Sequence, residues 1–438
     1  MLNEVRNNTL YFDGKVRFFG NTTPQELAAQ YGTPLYVFSE SEIVRRCSEL
    51  RRCFLTVWPN TRAAYACKAF CTPAMLRLVQ REGLCIDVVS GGELYTAIQA
   101  GFPPERIEFN GNNKLRAELE LAVDYGIGRV ILDGLQELPL LEEVCAARGR
   151  RMNVLYRVTP GIKADSHDYI VTGRKDSKFG IPLDGDVLYP AVRAALDSKW
   201  VNFLGFHFHV GSQLFDNAPY LAALDVVLGL VREVRRRFGH TVAELNLGGG
   251  FGVTYTDEER PPYAYFLDPL MARLEEFCRG EGMARPAVVV EPGRSIVAEA
   301  GLSLYTVGSI KDIRGVRKYV SVDGGMTDNI RPALYGAVYR GLLANRAEEA
   351  PTDTATICGK CCESGDILIR DARIPAARPG DLLAVFSTGA YGFSMASNYN
   401  SSPIPAVVLV KEGRSELIVR RQSYADLLAT AVIPKSLQ

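Results

Sequence analysis

Neither sign of charge predominates in this chain of 438 residues: 50 Lys and Arg stand against 50 Asp and Glu, and the formal net charge is zero. That argues against a basic nucleic-acid surface as its main business, because such surfaces need clustered positive charge. No stretch approaches the roughly 18 consecutive apolar residues that cross a bilayer. The opening Met1-Leu-Asn-Glu-Val-Arg-Asn-Asn lacks the apolar core of a secretory signal, so a cytoplasmic location without membrane attachment is expected. Ten cysteines at irregular spacing fall far below the density of a disulfide scaffold and fit free thiols in a reducing compartment. No GxxxxGK-type phosphate loop occurs, and no HExxH zinc motif. What is present is a globular composition, 47% hydrophobic and 23% charged, with enough material for a large core and, at roughly 150 residues per domain, two or three domains.

The N-terminus reads as strand material. Thr9-Leu-Tyr-Phe, Asp13-Gly14 and Lys15-Val-Arg-Phe-Phe predict a hairpin, because Asp-Gly supplies the positive φ of a tight turn. Thr23-Pro24-Gln25-Glu26 predicts a helix start, with Thr23 as cap, Pro24 in the first helical position and Glu26 closing a capping box. Gly32 ends that helix. Then a rhythm begins. Short β-branched or aromatic runs start near Arg62, Leu84, Arg106, Arg129 and Asn153, spaced by 22, 22, 23 and 24 residues, and again near Asn202, Glu244 and Ala287. Helical patterns lie between them; one opens at Thr72-Pro73, shows Leu76 and Val79 on one face and stops at Gly83.

Eight strand–helix units predict an α/β fold with a parallel sheet, closed as a (β/α)8 TIM-type barrel. A doubly wound open sheet competes. After Gly301 the runs Ser303–Ile313, Arg317–Asp323, Ile367–Ile369, Leu382–Phe386 and Ala406–Val410 are short and strand-like, so the C-terminal part reads as a mostly β domain that includes the N-terminal strands. The expected division is 1–35 for N-terminal strands joining the β domain, 36–300 for the barrel and 301–438 for the β domain.

Catalytic groups of such barrels sit at the C-terminal ends of the strands. Those ends here carry Lys68, Asp87, Asn110, Asp133, His209, Gly248-Gly249-Gly250 and Glu291. Lys68 leaves an apolar run, Ala-Tyr-Ala-Cys; an amine in a partly desolvated mouth can combine covalently with an aldehyde, although a lone Lys is more often a surface cation. Three glycines after a strand expose backbone N–H groups that suit a phosphate, but equally read as a turn needing positive φ. Glu291-Pro-Gly-Arg294 puts an acid and a base three residues apart; a Glu beside a pyridine nitrogen would keep it protonated, while the plain alternative is a surface ion pair. His207 and His209 share a strand face without a third zinc ligand, and one of them reads as an ordinary packed histidine. Cys358, Cys361 and Cys362 lack the second pair that a zinc site requires. No metal is expected.

Taken in order, Tyr65-Ala-Cys-Lys68-Ala, Phe208-His209-Val-Gly-Ser212-Gln, Gly248-Gly-Gly250, Glu291-Pro-Gly-Arg294, Asp323-Gly-Gly-Met-Thr-Asp and Cys362-Glu-Ser-Gly-Asp366 resemble the alanine-racemase-like, fold type III pyridoxal-phosphate decarboxylases, from about Pro34 to Val410. Asp176-Ser-Lys-Phe-Gly180, Arg331-Pro-Ala-Leu-Tyr335-Gly and the Glu363 that follows the cysteine point to the branch acting on meso-2,6-diaminopimelate. More distant ornithine decarboxylases carry Asp where Glu363 stands.

The resemblance implies that Lys68 holds pyridoxal 5'-phosphate covalently and that His209 stacks on its ring. It implies that Ser212, Gly249, Gly250, Gly293, Arg294 and Tyr391 serve the cofactor, chiefly its phosphate, and that Glu291 pairs with the ring nitrogen. Arg294, Arg331, Tyr335, Glu363 and Tyr391 would grip the substrate, and Cys362 would donate the proton. Cys362 and Glu363 would come from the other subunit of a homodimer with shared active sites. Family members often read Gly-Pro-Ile/Leu-Cys-Glu-Ser, whereas this chain has Gly359-Lys-Cys361-Cys362-Glu-Ser, so two adjacent thiols compete and Cys362 is chosen for its place before Glu363. An Arg-Pro-Arg-Pro run common after Asn400 is replaced by Ser401-Ser402-Pro-Ile-Pro. The implied activity is decarboxylation of meso-2,6-diaminopimelate to L-lysine and CO2. Alternatives are a related decarboxylase of another basic amino acid (D-ornithine, D-lysine, carboxynorspermidine or ornithine) and a catalytically silent binding homologue.

Overall fold

The structure is a computed structural model that describes residues 10–12, 16–18, 22–162 and 177–438. The chain divides into two compact units, one of Arg45–Val253 with Glu259–Ile296, the other of the chain up to Val44 with Thr254–Glu258 and Val297–Gln438.

In the first unit the strands Thr61–Ala66, Cys85–Val88, Ile107–Phe109, Arg129–Leu132, Met152–Thr159, Val201–His207, Glu244–Asn246 and Ala287–Val290 follow one another in parallel. Ala287–Val290 pairs back onto Thr61–Ala66, and Met152–Thr159 pairs with Val201–His207. The sheet is therefore closed, a (β/α)8 barrel, and the open doubly wound reading falls. Every strand begins within one residue of the position its β-branched run predicts. The helices form for legible local reasons. Thr72 caps Pro73–Arg81 by accepting the Met75 amide, and the helix buries Met75, Leu76, Leu78 and Val79; each such side chain contributes roughly 1.5–3 kcal/mol when fully buried. Ser90 caps Gly91–Gln99 in the same way, and Gly239, left-handed at φ 65°, ends Ala218–Phe238.

The inside of this barrel departs from the usual stack of branched apolar residues. Glu108, Asn110, Arg129, His207, Glu244 and Asn246 are all buried. Arg129 Nε lies 3.1 Å from Glu244 Oε1 and its Nη1 3.7 Å from Glu108 Oε2, and Arg62 also pairs with Glu244. Buried charges persist only when paired in this manner. Gly205 makes the close approach possible: at φ 151° it bulges past its neighbour, and an added Cβ would fall 2.2 Å from the Glu244 carbonyl oxygen.

The second unit is built on a nine-stranded sheet. Its main path runs Ile367–Ile374, Asp353–Cys358, Arg317–Val322, Gly301–Ile313, Leu35–Ser39, Ala406–Lys411 and Arg414–Val419, with Leu382–Val385 also on Gly301–Ile313. The strands expected after Gly301 are present. The N-terminal residues that enter this sheet are Leu35–Ser39, which pair antiparallel with Gly301–Leu304 and parallel with Ala406–Val410. The expected hairpin forms between Leu10–Phe12 and Val16–Phe18, with Phe12 opposite Val16 and Leu10 opposite Phe18, but as a two-stranded sheet of its own. All five residues of Leu35–Ser39 are buried, which makes this run part of the core. The Thr23/Glu26 capping box is present in both directions.

Asp328 anchors the loop after Arg317–Val322: it accepts the amide of Gly325 at 3.0 Å and the hydroxyl of Thr327 at 2.8 Å. Burial pushes its carboxyl up to about 6. The folded state thus holds this proton more tightly than the unfolded chain, so stability is lost as pH rises from about 4 to about 6, by about 3 kcal/mol at most. Asp328→Asn should flatten that slope, read as denaturant midpoints across pH 4.5–6.5.

Candidate active site

The strand Thr61–Ala66 is buried over its last four residues and runs into a 3-10 turn, Cys67–Ala69. Cys67 and Ala69 are buried while Lys68 between them is exposed, so the turn delivers a single amine to the strand's C-terminal end. Gly293 packs against this turn; a Cβ there would lie 2.9 Å from Ala66 Cβ and 3.3 Å from Ala69 Cβ.

Glu291 follows the last barrel strand and is buried. Its Oε1 accepts from Asn246 Nδ2 at 2.8 Å and Asn110 Nδ2 at 3.1 Å, with His207 Nε2 at 3.0 Å. All three contacts fall on Oε1. Burial alone would raise this carboxyl, but His207 and Lys68 outweigh it and bring it below the ordinary carboxylate range. Asp87 and Glu108 go the other way, raised by burial and by the charge of Glu291. Oxygens of the three acids lie within 4.8 Å of one another. The asparagine amides stand between them, Asn110 Nδ2 reaching Asp87 at 2.7 Å and Asn246 Nδ2 reaching Glu108 at 3.1 Å. Glu291 keeps its charge, the other two acids are pushed toward the neutral form, and N–H dipoles supply the positive ends that a cation would otherwise bring.

His209 is half-buried, and its Nδ1 accepts the Gly249 amide at 3.2 Å. Burial, Lys68 and Arg157 hold its pKa well below the usual histidine value, so a neutral ring stands beside the glycines. Gly248 and Gly250 have φ of 69° and 104°. A Cβ on Gly249 would fall 1.9 Å from the Glu291 carbonyl oxygen, and one on Gly250 2.1 Å from that of Gly211. Ser212 Oγ accepts from Arg294 Nη2 at 3.0 Å. Lys68, His209, Ser212, Gly249, Gly250, Glu291, Gly293 and Arg294 thus all belong to the barrel unit.

Arg331, Tyr335, Cys362, Glu363 and Tyr391 belong to the β unit. Arg331 opens the helix Arg331–Tyr335, is buried, and donates from Nε to Tyr339 Oη at 2.8 Å. Its guanidinium lies 6.0, 5.4 and 5.5 Å from the ring centroids of Tyr255, Tyr335 and Tyr391. Tyr391 takes a left-handed φ of 62°. Cys362 and Glu363 lie exposed on the turn before Asp366, the Cys362 amide donating to Asn400 Oδ1 at 2.8 Å. Asp176 of the Asp176-Ser-Lys-Phe-Gly180 motif lies outside the described residues. By residue order alone Asn110 reads as a strand ending and one of the two histidines as ordinary packing, and neither Glu108 nor Asn246 stands out. Their signal was parity: 108 and 110, 207 and 209, 244 and 246 are polar pairs two apart at the ends of short, largely apolar barrel strands.

The chain matches the family described as "pyridoxal-dependent decarboxylase, pyridoxal binding domain" over residues 40–298. It is 48% identical over 403 residues to the diaminopimelate decarboxylase of Bacillus subtilis, covering 92% of each chain, and 46% identical to that of Bacillus methanolicus, covering 94% of this chain and 98% of the other. The diaminopimelate decarboxylase of M. jannaschii in complex with L-lysine superposes with a TM-score of 0.92 at 35% identity over 99% of both chains. The chain belongs to the diaminopimelate decarboxylases. It is a carboxy-lyase dependent on pyridoxal phosphate.

The residues present fit that cofactor. An exposed amine, an ionised carboxylate, a neutral imidazole and a glycine turn that admits no Cβ are the complements of an aldehyde, a pyridine nitrogen, an aromatic face and a phosphate. Gly249→Ala must displace the Glu291 backbone, so the purified variant should lose most of its cofactor absorbance, with affinity weakened by more than about 100-fold; retention of the wild-type visible band would contradict this fit.

Proposed function

We propose that this chain decarboxylates meso-2,6-diaminopimelate to L-lysine and CO2, with each role carried by a residue named above. The observation that carries the reading is the buried, ionised Glu291, whose Oε1 is held by the Asn246 and Asn110 amides at the end of the last barrel strand. Pyridoxal phosphate supplies an electron sink for the pair left on Cα when CO2 departs. Lys68 anchors it covalently, and Glu291 holds a proton at the ring nitrogen. His209, neutral, lies against the ring without adding a competing charge. Ser212, Gly249, Gly250, Gly293, Arg294 and Tyr391 serve the phosphate end. Arg294 and Arg331 grip a carboxylate, Glu363 the distal ammonium, and Tyr335 and Tyr391 add further contacts to the substrate.

Cys362 delivers the proton to Cα. Its neighbour suits the task less: burial and the Asp366 carboxylate push the Cys361 thiol up to about 11, which makes it a poor acid near neutral pH. Cys362 and Glu363 act on the site of a second copy of this chain, so the working form is a homodimer with shared active sites. The protein works in the cytoplasm; its ten cysteines are free, and among the described residues no helix is long and apolar enough to cross a membrane.

Borohydride treatment followed by digestion should tag the Lys68 peptide, and a CO2-release screen over diamino acids should single out meso-diaminopimelate. Lys68→Ala should lose about 10³-fold or more in rate. Ready turnover of D-ornithine or D-lysine with none of diaminopimelate would overturn the substrate.

Cys362→Ala should slow product formation by about 10²-fold or more, and Cys361→Ala much less. Mixing Lys68→Ala with Cys362→Ala chains should restore about a quarter of wild-type activity, because half of the dimers are mixed and each mixed dimer regains one intact site. No recovery would sink the shared site.

A further inference from the structure

Asn246 stands between the two ends of the cofactor site and is itself fully buried. Its Nδ2 donates to Glu291 Oε1 at 2.8 Å and to Glu108 Oε1 at 3.1 Å, while its Oδ1 accepts the Gly248 amide at 2.9 Å. The backbone repeats the same link, the Glu291 amide donating to the Gly248 carbonyl at 2.8 Å. Both N–H groups and the carbonyl of one side-chain amide are therefore used, and the amide can face only one way: turned over, its oxygen would oppose two carboxyl groups. Glu108 is steadied from below by Arg129 Nη1 at 3.7 Å.

We propose that Asn246 is a positioning residue that locks the Glu291 carboxylate to the start of the glycine turn, so that the partner of the ring nitrogen and the phosphate cradle keep a fixed separation. The inference rests on the pyridoxal-phosphate reading of Lys68, Glu291 and the glycines. If the lock sets that separation, the phosphate group of the cofactor adds its full share of affinity only while Asn246 is intact.

Asn246→Asp keeps the shape, removes both donors and sets a third acid against Glu291 and Glu108. Apo-protein titrated with pyridoxal phosphate and with pyridoxal, which lacks the phosphate, gives two dissociation constants for each variant. We expect Asn246→Asp to weaken pyridoxal phosphate by about 10- to 100-fold, the loss that follows from leaving buried groups unpaired, and to shrink the ratio of the two constants by about 10-fold. A residue that merely supports the fold would lower the melting temperature and leave the ratio alone. Should the Asp variant fail to fold, Asn246→Ser removes the same donors without adding charge, and the same ratio decides. A ratio within twofold of wild type in the folded variant overturns the assignment. Failure of the wild-type apo-protein to bind pyridoxal phosphate would instead overturn the cofactor reading, and this inference with it.

Discussion

A carboxylate that stays charged inside a closed parallel barrel is the constraint on which the rest of this structure depends. Taking such a group out of water costs several kcal/mol unless its lone pairs and its charge are answered. Glu291 is answered by Asn246 and Asn110, by His207 at 3.0 Å and by the positive field of Lys68. Its neighbours Asp87 and Glu108 yield, and burial beside an existing negative charge pushes their protons on. Below them Arg129, Glu244 and Arg62 continue the alternation of sign through the barrel. A polar interior of this depth contributes little net stability. The apolar layer outside it, where helices such as Pro73–Arg81 and Ala218–Phe238 bury their faces, has to hold the barrel together.

The same residue constrains the backbone. The Glu291 carbonyl lies where a Gly249 Cβ would have to be, and its amide is bound to Gly248. Charge placement and chain path are thus not separable here: moving the acid moves the glycine turn. The two motifs lie more than forty residues apart in sequence, yet adjacency of their strands makes them one unit of structure.

Much of this was legible from residue order. The regular spacing of β-branched runs gave the eight barrel strands, because a parallel strand buried on both faces is a continuous apolar run. Counting strands did not give closure; that is a property of the pairing between Ala287–Val290 and Thr61–Ala66. Lys68, the glycines and Glu291 stood out because each interrupts an apolar run at a strand's end. Asn246 and Glu108 did not, since a polar residue within a short strand reads locally as an edge position. Only the barrel's two-residue alternation, with its inside already known to be polar, marks them. Leu35–Ser39 was underread for the opposite reason: its partners Gly301–Leu304 and Ala406–Val410 are hundreds of residues away, and no local signal names them.

The β unit carries Arg331, the residue proposed to set selectivity. Arg331 is buried, its Nε is spent on Tyr339, and tyrosine rings stand 5.4 to 6.0 Å from its guanidinium. In the role proposed for Arg331, the Nη atoms receive a planar anion in a bidentate fashion, and the apolar ring faces around the guanidinium raise the cost of leaving its charge unanswered. A substrate with a carboxylate at its far end answers that charge. A simple diamine-forming substrate such as ornithine has none to offer, and would leave a desolvated cation without its partner, a penalty larger than the loss of one ordinary hydrogen bond. Under the proposed roles, discrimination for a dicarboxylic amino acid therefore comes less from extra attraction to the right substrate than from the cost of seating the wrong one. That is a property of the aromatic setting of Arg331 as much as of the arginine itself.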